Sequence, residues 1–362
     1  MGEEKIDQKF VMDKLKIKKT GLKTLNLHLT NRCNMRCRHC LYSAGERKIK
    51  EMNFHEIKKL IKEFAKISNK QGTLNLFGGE VFLRKDIFDI LDYAISFGLT
   101  IGITTNANLS KEIIKKIIER EIGRLSIDIN GASPNSHDWL RNKKGHFYQS
   151  LEVIKIFKKS GKFIASNIIL HRNNVQEIEK ILSLCQQIGV NSISCYLFTP
   201  LGRGKNIKDM ILRPTEWKEA RKRVKKWINN NTPKFGIIWE RAYEYVNKVD
   251  NLSLSPCRGK PTDVVDIRCD GNVYYCGLLS AVDFGCLGNV KKETLTTILN
   301  RRKKYAIKIK LGCAALAYDY NPKRLVDPRL STNKIIPACP YDWELLYGPP
   351  LDLKKKFTYI DL

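Results

Sequence analysis

The chain has 362 residues, of which 65 are Lys or Arg and 37 are Asp or Glu, and 43% of its residues are hydrophobic. This length allows one large domain or two to three smaller ones, and the hydrophobic content excludes a disordered chain. The net charge of +28 suits an acidic substrate, an acidic surface or nucleic acid. Nucleic acid is disfavoured as a partner, because the lysines are spread over nearly every helical segment and no nucleic-acid-binding motif is present.

The N-terminal residues lack the layout of a signal peptide, and no apolar run reaches the roughly 18 residues that cross a bilayer. Residues 1–20 are predicted to be a charged extension. The eleven cysteines predict free thiols in a reducing compartment, since their number is odd and the chain is long for a disulfide framework. We therefore expect a soluble, cytoplasmic protein without membrane contact.

The alternation of short apolar runs with longer amphipathic ones over residues 21–205 predicts six strand–helix units. The predicted strands are Thr24–Leu29, Thr73–Phe77, Thr100–Thr104, Arg124–Ile129, Lys162–Leu170 and Ser192–Phe198. Consecutive units of this kind imply a parallel sheet with right-handed crossovers. The predicted fold class is α/β, a partial (β/α)6 barrel related to the eight-unit TIM barrel.

The pattern changes beyond residue 205. Residues 206–255 are predicted to be a linking helical segment around a basic helix, Glu216–Asn229. Residues 256–362 are predicted to form a cysteine-rich C-terminal domain, which contains six of the eleven cysteines. Within it, Asp270-Gly271-Asn272 separates two apolar runs and predicts a hairpin turn.

Three cysteines, Cys33, Cys37 and Cys40, directly follow the first predicted strand, at the strand end where barrel active sites form. Three thiolates so close together can bind one metal centre. Structural zinc sites generally use two separated pairs of ligands, which this motif lacks. A [4Fe–4S] cluster needs four ligands, so three cysteines would leave one iron open for an external ligand.

This Cys-x3-Cys-x2-Cys motif resembles that of the radical S-adenosylmethionine (radical SAM) superfamily. The resemblance implies that the open iron is chelated by the amino and carboxylate groups of SAM. One electron then splits SAM into methionine and a 5′-deoxyadenosyl radical, which takes a hydrogen atom from the substrate. His39 stands where that family usually has an aromatic residue, and we expect it to pack rather than to bind metal.

The residues at the other strand ends are similar to further motifs of the superfamily and of its peptide-modifying branch. Glycines allow a close approach of the backbone to a ligand, and the carboxylate of Glu80 can pair with an ammonium group. For Arg141, the alternative to a carboxylate contact is a surface ion pair. The cofactor-binding residues implied by the resemblance are Gly78, Gly79, Glu80, Thr105, Asn106, Ser126, Asp128, Arg141, Asn167 and Leu201.

The C-terminal cysteines resemble the SPASM or Twitch extension, which carries auxiliary iron–sulfur clusters. The resemblance starts at the C-x13-G-x4-C spacing of Cys257 and Cys276. It implies one auxiliary [4Fe–4S] cluster rather than two, because Lys310 replaces one cysteine of the complete pattern. The implied ligands are Cys257, Cys276, Cys313 and Cys339, with Cys269 and Cys286 as possible substitutes and with Cys185 and Cys195 as core residues.

The resemblance implies an enzyme of the SPASM/Twitch class, similar to the anaerobic sulfatase maturases. Oxidative modification or crosslinking of a peptide or protein side chain is the favoured reaction, with a reducing electron donor of the flavodoxin or ferredoxin type. The Gly-Cys-x-Ala-x-Ala-Tyr segment at residues 312–318 also resembles radical SAM proteins that modify tetrapyrrole side chains in heme biosynthesis. RNA modification and a non-catalytic iron–sulfur carrier are the remaining alternatives.

Overall fold

The computed structural model describes residues 22–46, 48–239, 263–274, 277–281 and 286–308. The predicted extension, residues 1–20, lies outside these ranges. The strands are β1 (Thr24–Thr30), β2 (Thr73–Gly78), β3 (Thr100–Thr105), β4 (Arg124–Ile127), β5 (Ile164–Leu170), β6 (Ser192–Leu197), β7 (Gly236–Trp239), β8 (Val264–Ile267), β9 (Asn272–Tyr274) and β10 (Gly288–Asn289).

Helices connect the strands. They are α1 (Phe54–Ile67), α2 (Ile87–Ser96), α3 (Lys111–Ile118), α4 (Pro134–Arg141), α5 (His146–Lys159), α6 (Ile178–Gln187), α7 (Pro214–Asn231), α8 (Gly277–Ala281) and α9 (Leu295–Lys308). Short 3₁₀ helices cover Val81–Leu83, Val175–Glu177 and Gly202–Met210. Within the described ranges, none of the helices combines the length and the apolar character needed to span a bilayer.

Strands β1 to β6 are parallel neighbours in chain order, which confirms the predicted sheet. A parallel pair requires a crossover connection, and α1, α2, α3, α5 and α6 lie in the five crossovers between these strands. The carboxyl ends of all six strands therefore meet at one edge of the sheet, the edge where α/β folds bind ligands.

Helix α1 illustrates why these segments are helical. Asn53 and Glu56 form a capping box, in which each side chain accepts a hydrogen bond from the other residue's backbone N–H, at 2.9 and 2.8 Å. The apolar residues that follow recur at helical spacing and are buried against the sheet; they are Ile57, Leu60, Ile61 and Phe64. Ser110 likewise caps α3 by accepting a hydrogen bond from the backbone of Ile113.

The sheet is longer than the sequence predicted. Strand β7 pairs in parallel with β6, with Ile237 beside Ile193, so the predicted linking segment 206–255 is not helical throughout. Strands β8 and β9 form the predicted hairpin, and β8 also pairs in parallel with β1, with Ile267 beside Leu27. The start of the cysteine-rich region therefore continues the sheet of the core.

The two faces of the sheet differ in chemistry. On β1, Leu25, Leu27 and Leu29 are 0–1% exposed and belong to the aliphatic core beneath the helices. Asn26, His28 and Thr30 alternate with them and point to the opposite face, because side chains alternate along a strand. The interior of a complete TIM barrel is filled by branched aliphatic side chains, whereas this face is polar.

A chain of hydrogen bonds crosses the polar face near the amino-terminal ends of the strands. Arg124 donates to Asn75 at 2.9 Å, Asn75 donates to Asn26 at 2.9 Å, and Asn26 donates to Asp266 at 3.2 Å. Gly102 on β3 lies beneath this chain, and a Cβ atom there would be 2.3 Å from the Asn75 side chain. The chain joins β4, β2, β1 and β8 and closes this end of the polar face.

Candidate active site

The cysteine loop (residues 31–45) begins where β1 ends. Glu51 accepts hydrogen bonds from the Thr30 hydroxyl at 2.8 Å and from the Asn31 backbone at 2.7 Å, which fixes the start of the loop. The backbone N–H of Gly45 donates to the carbonyl of Asn31 at 2.6 Å, so the two ends of the loop meet. Arg36 donates to the carbonyls of Cys33 at 2.9 Å and of Gly45 at 3.0 Å and holds the loop compact.

Each cysteine sulfur of the loop has a hydrogen-bond donor. Cys33 accepts from the Asn106 amide at 3.7 Å, Cys37 from the Arg141 guanidinium at 3.8 Å, and Cys40 from the backbone of Ala44 at 3.4 Å. In the part of the chain that the structure describes, no three His, Cys, Asp or Glu side chains converge on a single metal ion. Each of the three thiols has a polar contact within or beside the loop.

The turn after β2 packs directly against the cysteine loop. The N–H groups of Gly79 and Glu80 donate to the carbonyls of Thr30 and Arg32, both at 2.8 Å. A Cβ atom on Gly79 would lie 2.1 Å from the Arg32 carbonyl and 3.1 Å from the Cβ of Cys33. Gly78 has a φ of +146°, and a Cβ atom there would lie 2.4 Å from the Thr30 carbonyl oxygen. Both glycines are needed for this contact.

We expect Gly79→Ala to displace the cysteine loop. The added methyl group must move the backbone of Arg32 and Cys33, and overpacking of this kind costs about 1–3 kcal/mol. Iron content after reconstitution and thermal unfolding measure the effect. Gly236→Ala is the matched control, because a Cβ atom there has nothing within 4 Å; equal iron content in the two variants would contradict the proposed contact.

Glu80 is buried and joins the ends of β2 and β3. It accepts hydrogen bonds from the Thr105 hydroxyl at 2.9 Å and from the backbone N–H groups of Asn106 at 2.8 Å and Phe82 at 3.3 Å. Burial raises the pKa of its carboxyl group to about 7, although these hydrogen bonds and the charge of Arg141 favour the ionised form. No Lys or Arg among the described residues forms an ion pair with Glu80, so its charge is open to an external cation.

A pH dependence follows for the metal-free protein. At a pH between 4.5, the ordinary pKa of the group, and about 7, its raised pKa, Glu80 is largely ionised in the unfolded chain and largely protonated in the folded protein. The free energy of unfolding therefore falls as the pH rises through this window, by about 3 kcal/mol at most. Urea denaturation at pH 4.5 and pH 8 measures the change. Glu80→Gln should lose less stability over the same range, and an identical loss in both proteins would contradict this prediction.

Arg141 is buried, and its partner is Asp128, with Nη2 at 3.1 Å from the carboxylate. The alternative of a surface ion pair is therefore wrong. The other Asp128 oxygen accepts a hydrogen bond from the Asn167 amide at 3.1 Å. Ser126 is buried on β4, two residues before Asp128, which follows that strand. The structure thus brings Asp128, Arg141 and Asn167 together, with Arg141 beside Cys37.

The turn after β6 contacts the cysteine loop from the other side. Gly202 has a φ of +53°, and a Cβ atom there would lie 2.4 Å from the carbonyl oxygens of Cys40 and Leu41. Arg203 donates from its backbone to the carbonyl of Cys40 at 3.0 Å and from its side chain to that of Cys37 at 2.8 Å. Leu201, the residue that the sequence singled out, is buried at the start of this turn.

Several supporting residues were missed at the sequence level. Arg84 is buried, binds Asp86 through two hydrogen bonds and lies 3.6 Å from Glu51 at the start of the cysteine loop. His146 donates to the carbonyl of Asn106 at 2.7 Å. Neither residue lies in a motif, and the site residues that they contact, Glu51 and Asn106, are distant from them in the sequence, so no local signal identifies them.

The four cysteines predicted to bind an auxiliary cluster, Cys257, Cys276, Cys313 and Cys339, lie outside the described residues. Of the two possible substitutes, Cys269 is buried and Cys286 is exposed. Cys185 and Cys195 are buried in the aliphatic core, which confirms their prediction as core residues. Burial raises the pKa of the Cys185 thiol to about 12.

Two sequence profiles match the chain. The profile of the Radical SAM superfamily matches residues 27–185, which include the cysteine loop and strands β2 to β5. The profile of an iron–sulfur cluster-binding domain, SPASM, matches residues 257–320. The first match contains every predicted site residue of the core except Leu201, and the second contains three of the four predicted auxiliary ligands.

Curated relatives and solved structures resemble the same regions. An AdoMet-dependent heme synthase of Oleidesulfovibrio alaskensis is 28% identical over 53% of this chain and 50% of the synthase. Mycofactocin maturase MftC of Mycolicibacterium smegmatis is 26% identical over 56% of this chain and 51% of the maturase. The chain thus spans about half the length of these curated relatives. The fold resembles that of Streptococcus suis SuiB bound to its precursor peptide SuiA, with a TM-score of 0.64 at 15% identity over 77% of this chain and 65% of SuiB.

Proposed function

Since the chain carries a radical SAM domain followed by a SPASM domain, we propose that it is an enzyme that cleaves SAM reductively and takes a hydrogen atom from a peptide or protein side chain. The favoured outcome is oxidation or crosslinking of that side chain. The observation that carries the proposal is the cysteine loop, which packs against the turns after β2 and β6 while the buried Glu80 carboxylate lies beside it.

The thiols of Cys33, Cys37 and Cys40 would bind three irons of a [4Fe–4S] cluster. One observation supports this fit: each sulfur has a hydrogen-bond donor, and outer hydrogen bonds of this kind orient and tune metal ligands. When bound, the cluster and SAM would supply the 5′-deoxyadenosyl radical.

The remaining predicted residues would bind and orient SAM. The Glu80 carboxylate would accept the amino group of the methionine moiety, because it is buried and has no cationic partner among the described residues. Gly78 and Gly79 would allow the backbone to approach the ligand, with Thr105 and Asn106 holding Glu80. Five further residues would contact the ribose, the carboxylate and the adenine of SAM. They are Ser126, Asp128, Arg141, Asn167 and Leu201.

An auxiliary [4Fe–4S] cluster would be bound by Cys257, Cys276, Cys313 and Cys339. The SPASM match supports this assignment for the first three residues. Iron analysis of anaerobically purified protein tests it. We expect about eight irons per chain, four for each cluster. A value close to four would remove the auxiliary cluster from the proposal and leave the radical SAM chemistry in place.

The substrate class rests on two sets of relatives. A maturase relative and the structural likeness to a peptide-bound enzyme favour a peptide or protein substrate. The heme synthase relatives, together with the net charge of +28, favour a tetrapyrrole carboxylate as the second candidate. RNA modification has no support among these relatives.

One experiment separates the two substrate classes. Reduced enzyme and SAM are incubated with iron coproporphyrin or with a peptide library, each deuterated at carbon. Transfer of deuterium into 5′-deoxyadenosine identifies the substrate that loses the hydrogen atom. Transfer from a peptide supports the main proposal, and transfer only from the tetrapyrrole would replace it with the second candidate.

The reaction needs an electron donor, and we propose a cytoplasmic protein of the flavodoxin or ferredoxin type. A purified flavodoxin with its reductase should replace a chemical reductant in SAM cleavage. Activity with the chemical reductant but none with the flavodoxin system would argue against this donor.

A further inference from the structure

Two buried histidines form a chain of hydrogen bonds that ends beside the cysteine loop. The backbone N–H of Asn130 donates to Nδ1 of His137 at 3.2 Å. Nε2 of His137 lies 3.0 Å from Nδ1 of His146, and Nε2 of His146 lies 2.7 Å from the carbonyl oxygen of Asn106. The two ring planes are nearly parallel, at an angle of 12°, with centroids 5.3 Å apart. We call these two residues the histidine relay.

The direction of this chain follows from its ends. A backbone N–H can only donate and a carbonyl oxygen can only accept, so both imidazoles must carry their proton on Nε2. Burial lowers the pKa of His146 to about 3, with the charge of Arg141 adding to the effect, and burial and Arg141 also lower the pKa of His137 well below its ordinary value. Both rings are therefore neutral near pH 7, and each has one fixed tautomer.

The acceptor of the relay belongs to a strained turn. Ala107, the residue after Asn106, has a φ of +62° although it is not glycine, and it is completely buried. Such a conformation persists only where the surroundings hold it from several sides. Here Ala107 donates to the Thr105 hydroxyl at 3.2 Å, Asn108 donates to the Asn106 side chain at 2.8 Å, and His146 binds the Asn106 carbonyl.

The same turn places the Asn106 amide on the cysteine loop. Its Nδ2 group donates to Asn34 at 2.8 Å and lies 3.7 Å from the sulfur of Cys33. The position of this amide depends on the backbone of Asn106, which is held by Glu80 on its N–H side and by His146 on its carbonyl side.

We propose that His137 and His146 are positioning residues, which hold the strained turn at Asn106 and Ala107 so that the Asn106 amide stays against Cys33. For the cluster, this inference rests on the function proposed above. A reduced cluster carries one more negative charge than an oxidised one, so a donor at a ligating sulfur stabilises the reduced form more. The histidine relay therefore raises the reduction potential of the cluster bound by Cys33.

Substitutions at His146 test the inference. His146→Phe keeps the ring but removes the donor, whereas His146→Gln keeps a donor near the position of Nε2. We expect a more negative midpoint potential and an altered EPR signal of the reduced cluster in His146→Phe, and values near wild type in His146→Gln. Adding Ala107→Gly to His146→Phe should restore part of the potential, because glycine adopts a positive φ without strain.

Ile154→Ala is the control for lost stability. This residue is buried in the same helix, α5, but has no part in the relay. Its potential should equal that of wild type even though the protein unfolds more easily. A potential in His146→Phe equal to that of Ile154→Ala would overturn the inference, as would the absence of any recovery in the double variant.

A second measurement does not depend on the cluster. In the metal-free protein, hydrogen exchange of the amides at residues 107 and 108 should speed up about tenfold in His146→Phe, the effect of about one hydrogen bond, and slow again in the double variant with Ala107→Gly. Unchanged exchange would overturn the relay whether or not a cluster binds. If the wild-type protein binds no iron while the two variants show this exchange pattern, the proposed function is refuted and the inference about the relay stands.

Discussion

Alanine at any one of Cys33, Cys37 and Cys40 is expected to abolish reductive cleavage of SAM and to lower the iron content by about four per chain. Each thiolate is a ligand in the proposed site, and the loop that carries them is fixed by contacts with β2, α4 and the turn after β6. With one ligand missing, the compact loop offers no substitute thiol from within residues 31–45.

Iron analysis and detection of 5′-deoxyadenosine by liquid chromatography measure both effects in the same samples. Cys185→Ala is the matched control, because this thiol on α6 is completely buried in the aliphatic core and remote from the loop in sequence. It should keep both the iron and the product. Formation of 5′-deoxyadenosine at an unchanged rate by the triplet variants would contradict the assignment of the cluster ligands.

Glu80→Gln is expected to weaken the binding of SAM while leaving the cluster in place. The substitution preserves the shape of the side chain but removes the negative charge that the ammonium group of SAM would meet. Loss of one partner of a buried, hydrogen-bonded charge pair costs about 2–5 kcal/mol, so the dissociation constant should rise at least about 30-fold.

Equilibrium dialysis of SAM against iron-loaded protein measures this change. Glu152→Gln on α5 serves as the control, since the Glu152 carboxylate is exposed. The substitution removes the same charge from the protein as Glu80→Gln does. Equal affinity in the two variants would show that Glu80 is only a structural link between β2 and β3. Loss of iron from Glu80→Gln would indicate that it supports the cysteine loop instead.

Local patterns were sufficient to predict the core of the fold. Strands β1 to β6 alternate with helices whose apolar residues have a period near 3.6, and consecutive units of this kind leave one arrangement, the parallel sheet. That arrangement by itself brings Glu80 and Asn106 to the edge that carries the cysteine loop. The parallel sheet therefore explains why residues that the family resemblance implied lie at one edge.

Contacts between distant segments could not be predicted in the same way. Strand β7 has only four residues and follows a basic helix, so it has no recognisable alternation. The pairing of β8 with β1 joins residues about 240 positions apart, and nothing in either segment specifies the other. For Arg141 the sequence allowed a surface ion pair, and only the burial of its side chain against Asp128 excludes that alternative.

The central claim is that the cysteine loop supports reductive cleavage of SAM, and one measurement tests it most directly. Anaerobically reconstituted wild-type protein is reduced with dithionite and incubated with SAM, and 5′-deoxyadenosine and methionine are quantified. We predict that both products form in equal amounts and that neither forms without reductant. An iron-loaded protein that binds SAM yet yields no 5′-deoxyadenosine would contradict the account.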